Sequence, residues 1–152
     1  MLVKNKKSVL GGPVKGLRIA IIASRYNTFL TDALLKSTQE TLSKSGVKQI
    51  TVFRVPGSYE IPVVAMKFAQ SRKYHAIIAL GIVLKGNTSH AEHISTACAI
   101  NLQRIAIKTG TPIIHQILTP KNLKDGRARV RIRGIEAAQT AVEMGALMRS
   151  MI

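Results

Sequence analysis

Residues 86–94, Gly-Asn-Thr-Ser-His-Ala-Glu-His-Ile, set a glycine and three small polar residues ahead of two histidines one helical turn apart, His90 and His93. Three chemistries are open to such a stretch. Gly86, Asn87 and Thr88 at a helix start leave free backbone N–H groups at the positive end of the helix dipole, which favours an anion such as phosphate. Plain N-capping by Asn87 or Thr88 competes for the same residues. Gly81 to Thr88 spells GxxxxGNT, one residue from the nucleotide loop GxxxxGK[ST]. The lysine that reaches the outer phosphates is missing and Gly81 falls inside a predicted strand, so a nucleoside triphosphatase is rejected. As a metal site, HxxH supplies only two ligands, and His115 would have to converge from another strand, so no metal is expected. As an acid–base group, an imidazole in the first turn feels the positive end of the dipole and donates its proton readily once charged. A solvated or capping histidine is the competing role, and company decides between them.

The elements that hold these residues follow from hydrophobic periodicity and from the punctuating glycines and prolines. The run 17–23 is continuously apolar and isoleucine-rich, as a strand buried on both faces would be. A helix follows, with Thr28 or Thr31 as N-cap, Leu30, Leu34, Leu35 and Leu42 at helical spacing, and Gly46 as the stop. Residues 49–55 form a second strand that ends at a turn through Pro56 and Gly57, and Pro62 suits the first turn of a helix running to about Ser71. A third strand covers 75–83, and the histidine stretch opens a helix with Ile94, Ala97, Cys98, Leu102 and Ile105 on one face. A fourth strand covers 112–119, then comes a basic stretch, 120–134, and a last helix from Ile135. Strands alternating with helices imply parallel β-α-β units, hence α/β class: a three-layer α/β/α sandwich on a four-stranded parallel sheet. Ligands of such sheets bind beyond the carboxyl ends of the strands, so the loops at 24–28, 56–60, 84–90 and 119–126 are the ones to inspect.

Length and composition narrow the partners. One domain is expected over 1–152, with 1–15 as a basic N-terminal arm. The longest apolar run, Ala76 to Leu84, is far short of the roughly 20 residues of a membrane helix, and the first fifteen residues hold no signal-peptide apolar block. No membrane partner and a cytoplasmic location are expected. The single cysteine, Cys98, lies on an apolar stripe where a small buried thiol is the common case. Lys and Arg number 23 against 7 Asp and Glu, a net +16 that concentrates anions at the surface. Only 4% of residues are aromatic and tryptophan is absent, so bases have little to stack on and nucleic-acid binding is expected to be nonspecific only.

Five segments, "ASRYNTFLTDALL", "RVPGSYEIPVVA", "ALGIVLKGNTSHAEHI", "PIIHQILT" and "RGIEAAQTAVEMGAL", occur in the order and at nearly the spacings of the lumazine synthase family of riboflavin biosynthesis, which the chain resembles over almost its whole length after the arm. That resemblance implies a flavodoxin-like homo-oligomer built of pentamers, active sites between subunits, small-molecule substrates, no cofactor, no metal, and riboflavin synthase as a candidate partner. It implies condensation of 5-amino-6-(D-ribitylamino)uracil with 3,4-dihydroxy-2-butanone 4-phosphate to 6,7-dimethyl-8-ribityllumazine. His90 matches the family's proton donor and acceptor, and Asn87 and Thr88 match positions that bind phosphate. Tyr26 matches the aromatic residue that stacks on the pyrimidine, while Ser58, Tyr59, Glu60, Ile82, Val83 and Leu84 match its binding segments. Asn27 resembles a position near the ribityl chain, though in isolation it reads as a turn residue. Glu60 equally suits a helix N-terminus as a dipole-complementing acid.

Two departures stand out. His115-Gln116 replaces the family's usual Phe-Gly, and His115 is expected to line the pocket offered to the neighbouring subunit. The basic stretch is several residues shorter than the family's and carries Arg127, Arg129, Arg131 and Arg133. Aligned from its start, Arg129 falls on the phosphate-binding arginine; aligned from its end, Arg133 falls on the family's lysine. Arg127 and Arg131 compete for the phosphate, and four alternating arginines also read as one solvated strand or loop face. The function class that competes with the enzyme is a catalytically weak basic scaffold or shell protein that binds anionic cargo such as RNA.

Overall fold

A computed structural model describes residues 13–151, so most of the expected N-terminal arm lies outside the described residues. Strands β1 (Arg18–Ser24), β2 (Gln49–Val55), β3 (Ala76–Ile82) and β4 (Ile113–Leu118) alternate with helices α1 (Thr28–Lys44), α2 (Ile61–Ser71), α3 (His90–Thr109) and α4 (Leu123–Ser150), and a 3₁₀ turn, Ser58–Glu60, precedes α2. Every strand pairing is parallel, in the order β2-β1-β3-β4. This is the expected four-stranded α/β/α sandwich in flavodoxin-like order.

Sequence decides which strands are central. All seven residues of β3 and all but the first of β1 are buried, whereas β2 and β4 are only partly so. Unbroken apolar runs can be desolvated on both faces, and the more broken runs must take the edges. Alternate residues then feed two cores. Ile19, Ile21, Ile78 and Leu80 pack under α1 and α4 with Leu30, Leu34, Ala137 and Ala141. Ala20, Ile22, Ile77 and Ala79 pack under α2 and α3 with Ile61, Ala65, Leu102 and Ile105. The strand order reverses between β1 and β3, so the loops leaving them diverge and open a crevice at their carboxyl ends.

The basic stretch corrects the expectation of a strand or loop face. It is helical from Leu123, and α4 runs unbroken to Ser150. Asn122 caps it, its side chain accepting the Asp125 N–H at 2.8 Å, and arginine and alanine are strong helix formers. Gly126 and Gly134 lie in a buried seam with Val130, Ala137 and Ala141. A Cβ on Gly126 would stand 2.6 Å from Leu30 Cδ1, and one on Gly134 2.7 Å from Ser37 Cβ, so α1 and α4 approach as closely as they do because both positions lack a side chain. Residues two apart on a helix are turned by about 200° and residues four apart by about 40°. Arg127 and Arg131 therefore share one face and Arg129 and Arg133 another, where a strand would have presented all four together. The caps also differ from expectation. Asn27, with φ 59°, precedes α1, and Ser89 precedes α3; neither side chain caps its helix, because each is engaged elsewhere.

At the amino end of the sheet, His75 Nδ1 accepts the Arg18 N–H at 2.9 Å while the His75 N–H donates to the Arg18 carbonyl at 2.8 Å. Arg149 closes this end by donating to the carbonyls of Lys15 and Pro13. Burial first, then the Arg18 and Arg149 charges, hold the His75 pKa below the ordinary 6.5. The unfolded chain therefore takes up a proton that the folded chain resists. Stability from this group is complete above about pH 6.5 and is lost as pH falls through the folded value. Thermal unfolding should show a lower midpoint at about pH 5 than at about pH 8, and His75→Asn, whose amide oxygen can accept the Arg18 N–H, should narrow that gap. An unchanged gap would exclude His75 as a source of it.

Candidate active site

The loops beyond β1, β2 and β3 converge at the crevice. The Arg25 N–H donates to Val55 O at 2.8 Å and the Tyr26 N–H to Pro56 O at 3.0 Å, tying the loop after β1 to the turn after β2. Asn27 adopts its left-handed conformation and its side-chain amide donates to Ile82 O at 2.9 Å, tying the same loop to the end of β3. Side-chain amides tolerate this backbone region better than most residues, which is why asparagine serves here. The Tyr26 ring lies against Gly57, where a Cβ would meet Tyr26 Cδ2 at 2.8 Å. The Gly57 N–H in turn donates to Glu60 Oε2 at 2.9 Å, fixing the carboxylate at the start of α2.

Tyr26 and Tyr59 stand out of this floor, 65% and 68% exposed. Ser58 and Ile82 are buried, and Val83 and Leu84 are half-buried beside them. The loop after β3 is held to the end of β4, Val83 N–H to Leu118 O at 2.9 Å and Lys85 N–H to Pro120 O at 3.0 Å. Asn87, Thr88, Ser89 and His90 are all exposed where α3 begins. The Thr88 hydroxyl reaches the His90 N–H at only 3.4 Å. His93 pairs with Ser89, Nε2 to Oγ at 3.0 Å, a spacing of four residues that brings side chains together on a helix and could have been read from the sequence. Among the described residues, no three metal-ligating side chains converge, and no helix is long and apolar enough to cross a membrane.

Cys98, behind the turn, donates its thiol to Ser58 O at 3.3 Å. Burial and then the nearby Glu60 charge push its pKa up to about 11, so it stays a thiol at neutral pH. The sequence pattern marks Cys98 as core but not as a neighbour of Ser58.

His115 and Arg133 lie elsewhere. They line a groove of about 480 Å³ along the open edge of β4, between α3 and α4, with Gln116, Glu136 and Met144. None of the strand-end residues lines it. Gln116 donates to Arg133 O at 2.6 Å, and the Arg133 guanidinium pairs with Glu136 at 3.0 Å. Desolvation in the groove lowers the pKa of His115, leaving a neutral ring at neutral pH. Arg129, on the same helical face as Arg133, pairs loosely with Asp125 at 3.8 Å. Arg127 is drawn away, its guanidinium 4.8 Å over the Phe29 ring. Within one chain, then, Tyr26, Asn27, Ser58, Tyr59, Glu60, 82–84, Asn87, Thr88 and His90 gather at the strand ends, while His115 and Arg133 belong to the open edge.

Comparison with known proteins finds that the family described as 6,7-dimethyl-8-ribityllumazine synthase matches residues 16–149. A protein of that name from Thermococcus gammatolerans is 38% identical over 95% of this chain and 97% of its own length. One from Xanthomonas oryzae pv. oryzae is 41% identical over 86% of this chain and 89% of its own, and one from Pyrococcus furiosus is 38% identical over 90% and 88%.

Proposed function

The chain belongs to the 6,7-dimethyl-8-ribityllumazine synthase family, and on that premise we infer how its residues divide the labour of the reaction. It is a transferase of riboflavin biosynthesis. It condenses 5-amino-6-(D-ribitylamino)uracil with 3,4-dihydroxy-2-butanone 4-phosphate, giving 6,7-dimethyl-8-ribityllumazine, phosphate and water. The observation that carries the division of roles is the tie between Tyr26, Gly57 and Glu60, beside the crevice into which the His90 end of α3 opens.

The pyrimidine lies against the ring of Tyr26, with Tyr59 at its side and Glu60 and the 82–84 backbone along its polar edge. The phosphate of the second substrate sits at the start of α3 on Asn87, Thr88 and the first-turn amides, with an arginine completing its neutralisation. Attack of the aryl amine on the ketone, loss of water to give the imine, departure of phosphate and ring closure with loss of a second water each move a proton. The His90 imidazole is the group we assign to give and take it.

Arg133 and His115 lie along the unpaired edge of β4, apart from the crevice loops, and Arg129 shares the helical face of Arg133. A second copy of the chain bringing that edge to the crevice completes the site, so the enzyme works as a homo-oligomer, and we assign the pentamer as its unit. Purified protein given both substrates should produce the lumazine, followed by its absorbance, and sizing should return a multiple of five protomers. A folded protein that forms no lumazine would overturn the assignment.

A further inference from the structure

Gly81 sits in the middle layer of a strand buried on both faces, where glycine packs nothing and weakens the strand. Its backbone is not in the left-handed region that would require glycine. What it leaves is room. A Cβ on Gly81 would stand 2.1 Å from Ser58 Oγ, 3.1 Å from Ser58 Cβ and 3.4 Å from Ser24 Oγ. Ser58 is 5% exposed, and its hydroxyl, like that of Ser24, has no hydrogen-bond partner among the described residues. The hydroxyl is thus directed at Gly81, between the ends of β1 and β3. Its carbonyl is held from behind by the Cys98 thiol on α3, and Tyr26 presses on the same turn at Gly57.

We propose that Ser58 is a wedge seated in the gap at Gly81, and that Gly81 and Cys98 are positioning residues. Together they set the height of the Ser58–Glu60 turn above the sheet, and so the place of Tyr59 and Glu60 in the pyrimidine pocket. The inference rests on the enzymatic reading above. It assigns Ser58 a contact with the protein's own strand rather than with substrate, and it explains a glycine that belongs to no phosphate loop.

The test is a double-mutant cycle on the full chain, read by steady-state kinetics and by thermal unfolding. Ser58→Ala is the reference arm, and its KM for the pyrimidine substrate should rise by less than that of Gly81→Ala, since the wedge position remains filled. Gly81→Ala should raise the KM of the pyrimidine substrate by about 10-fold, with the KM of the phosphate substrate within about twofold, because the added methyl lifts the turn and leaves the start of α3 alone. Adding Ser58→Ala to Gly81→Ala removes the atom at 2.1 Å and should restore most of both KM and unfolding midpoint. A 10-fold rise in pyrimidine KM in Ser58→Ala alone, or a double variant no better than Gly81→Ala, overturns the wedge. Should Gly81→Ala fail to fold, the double variant must still fold, and its failure has the same force. A wild-type protein without turnover would sink the enzymatic reading and the positioning role with it, and is told apart by a coupling of unfolding midpoints between positions 58 and 81 that persists.

Discussion

In His90→Ala, turnover should fall by about 10²-fold while the KM of either substrate stays within about threefold. The imidazole is exposed at the first residue of α3 and, among the described residues, is held by no side-chain hydrogen bond that its removal would break, so the folded chain should tolerate its loss. The effect stays near the lower end of what a general acid–base contributes, because imine formation can borrow protons from water at an exposed site. His93→Ala is the control. Its ring is engaged with Ser89, and its removal should change turnover far less. Equal losses in the two variants would mean that the start of α3 acts through its shape and not through proton transfer at His90.

Arg129→Ala should weaken the phosphate-bearing ketone substrate, raising its KM by about 10- to 100-fold, the range expected for losing a charge-assisted contact to phosphate, with kcat less affected. The same change at Arg127 should leave that KM unaltered, because the helical phase turns Arg127 toward Phe29. Arg129 pairs with Asp125 only at 3.8 Å between partly exposed groups, so that contact holds it weakly and leaves it available to an incoming anion. If His90 and Arg129 serve one site from two protomers, mixed assemblies of the two single variants should regain activity, with about a quarter of the sites wild type under random pairing. No recovery on co-assembly would return both residues to one protomer. An unchanged KM in Arg129→Ala would pass the phosphate to Arg133, which shares its face.

What the sequence discloses is governed by how local each cause is. The runs at β1 and β3 are so uniformly apolar that their central place follows from composition, and the observed bounds differ from the expected ones by a single residue at most. The strand-end loops are identifiable too, since parallel alternation obliges them to share one edge. The start of α4 is not. Arginine at every second position mimics the period of a strand, and Gly126 and Gly134 resemble breakers until α1 is seen packed on them. The caps at Asn27 and Ser89 escape the sequence because their side chains serve other partners, Ile82 and His93, rather than the backbone of the helix they precede. The separation of His115 and Arg133 from the crevice depends on which strand is left at the edge, and only the order of the sheet decides that.

An uninterrupted α4 of 28 residues, about 42 Å long, has lost the slack that a connecting loop provides. One residue inserted between Leu123 and Gly126 would swing everything downstream by about 100° about the axis, pulling the glycine seam off α1 and turning the arginines off their present faces. Length in this segment is therefore quantised. Additions near a whole turn keep the phase, and anything else must be absorbed by breaking the rod.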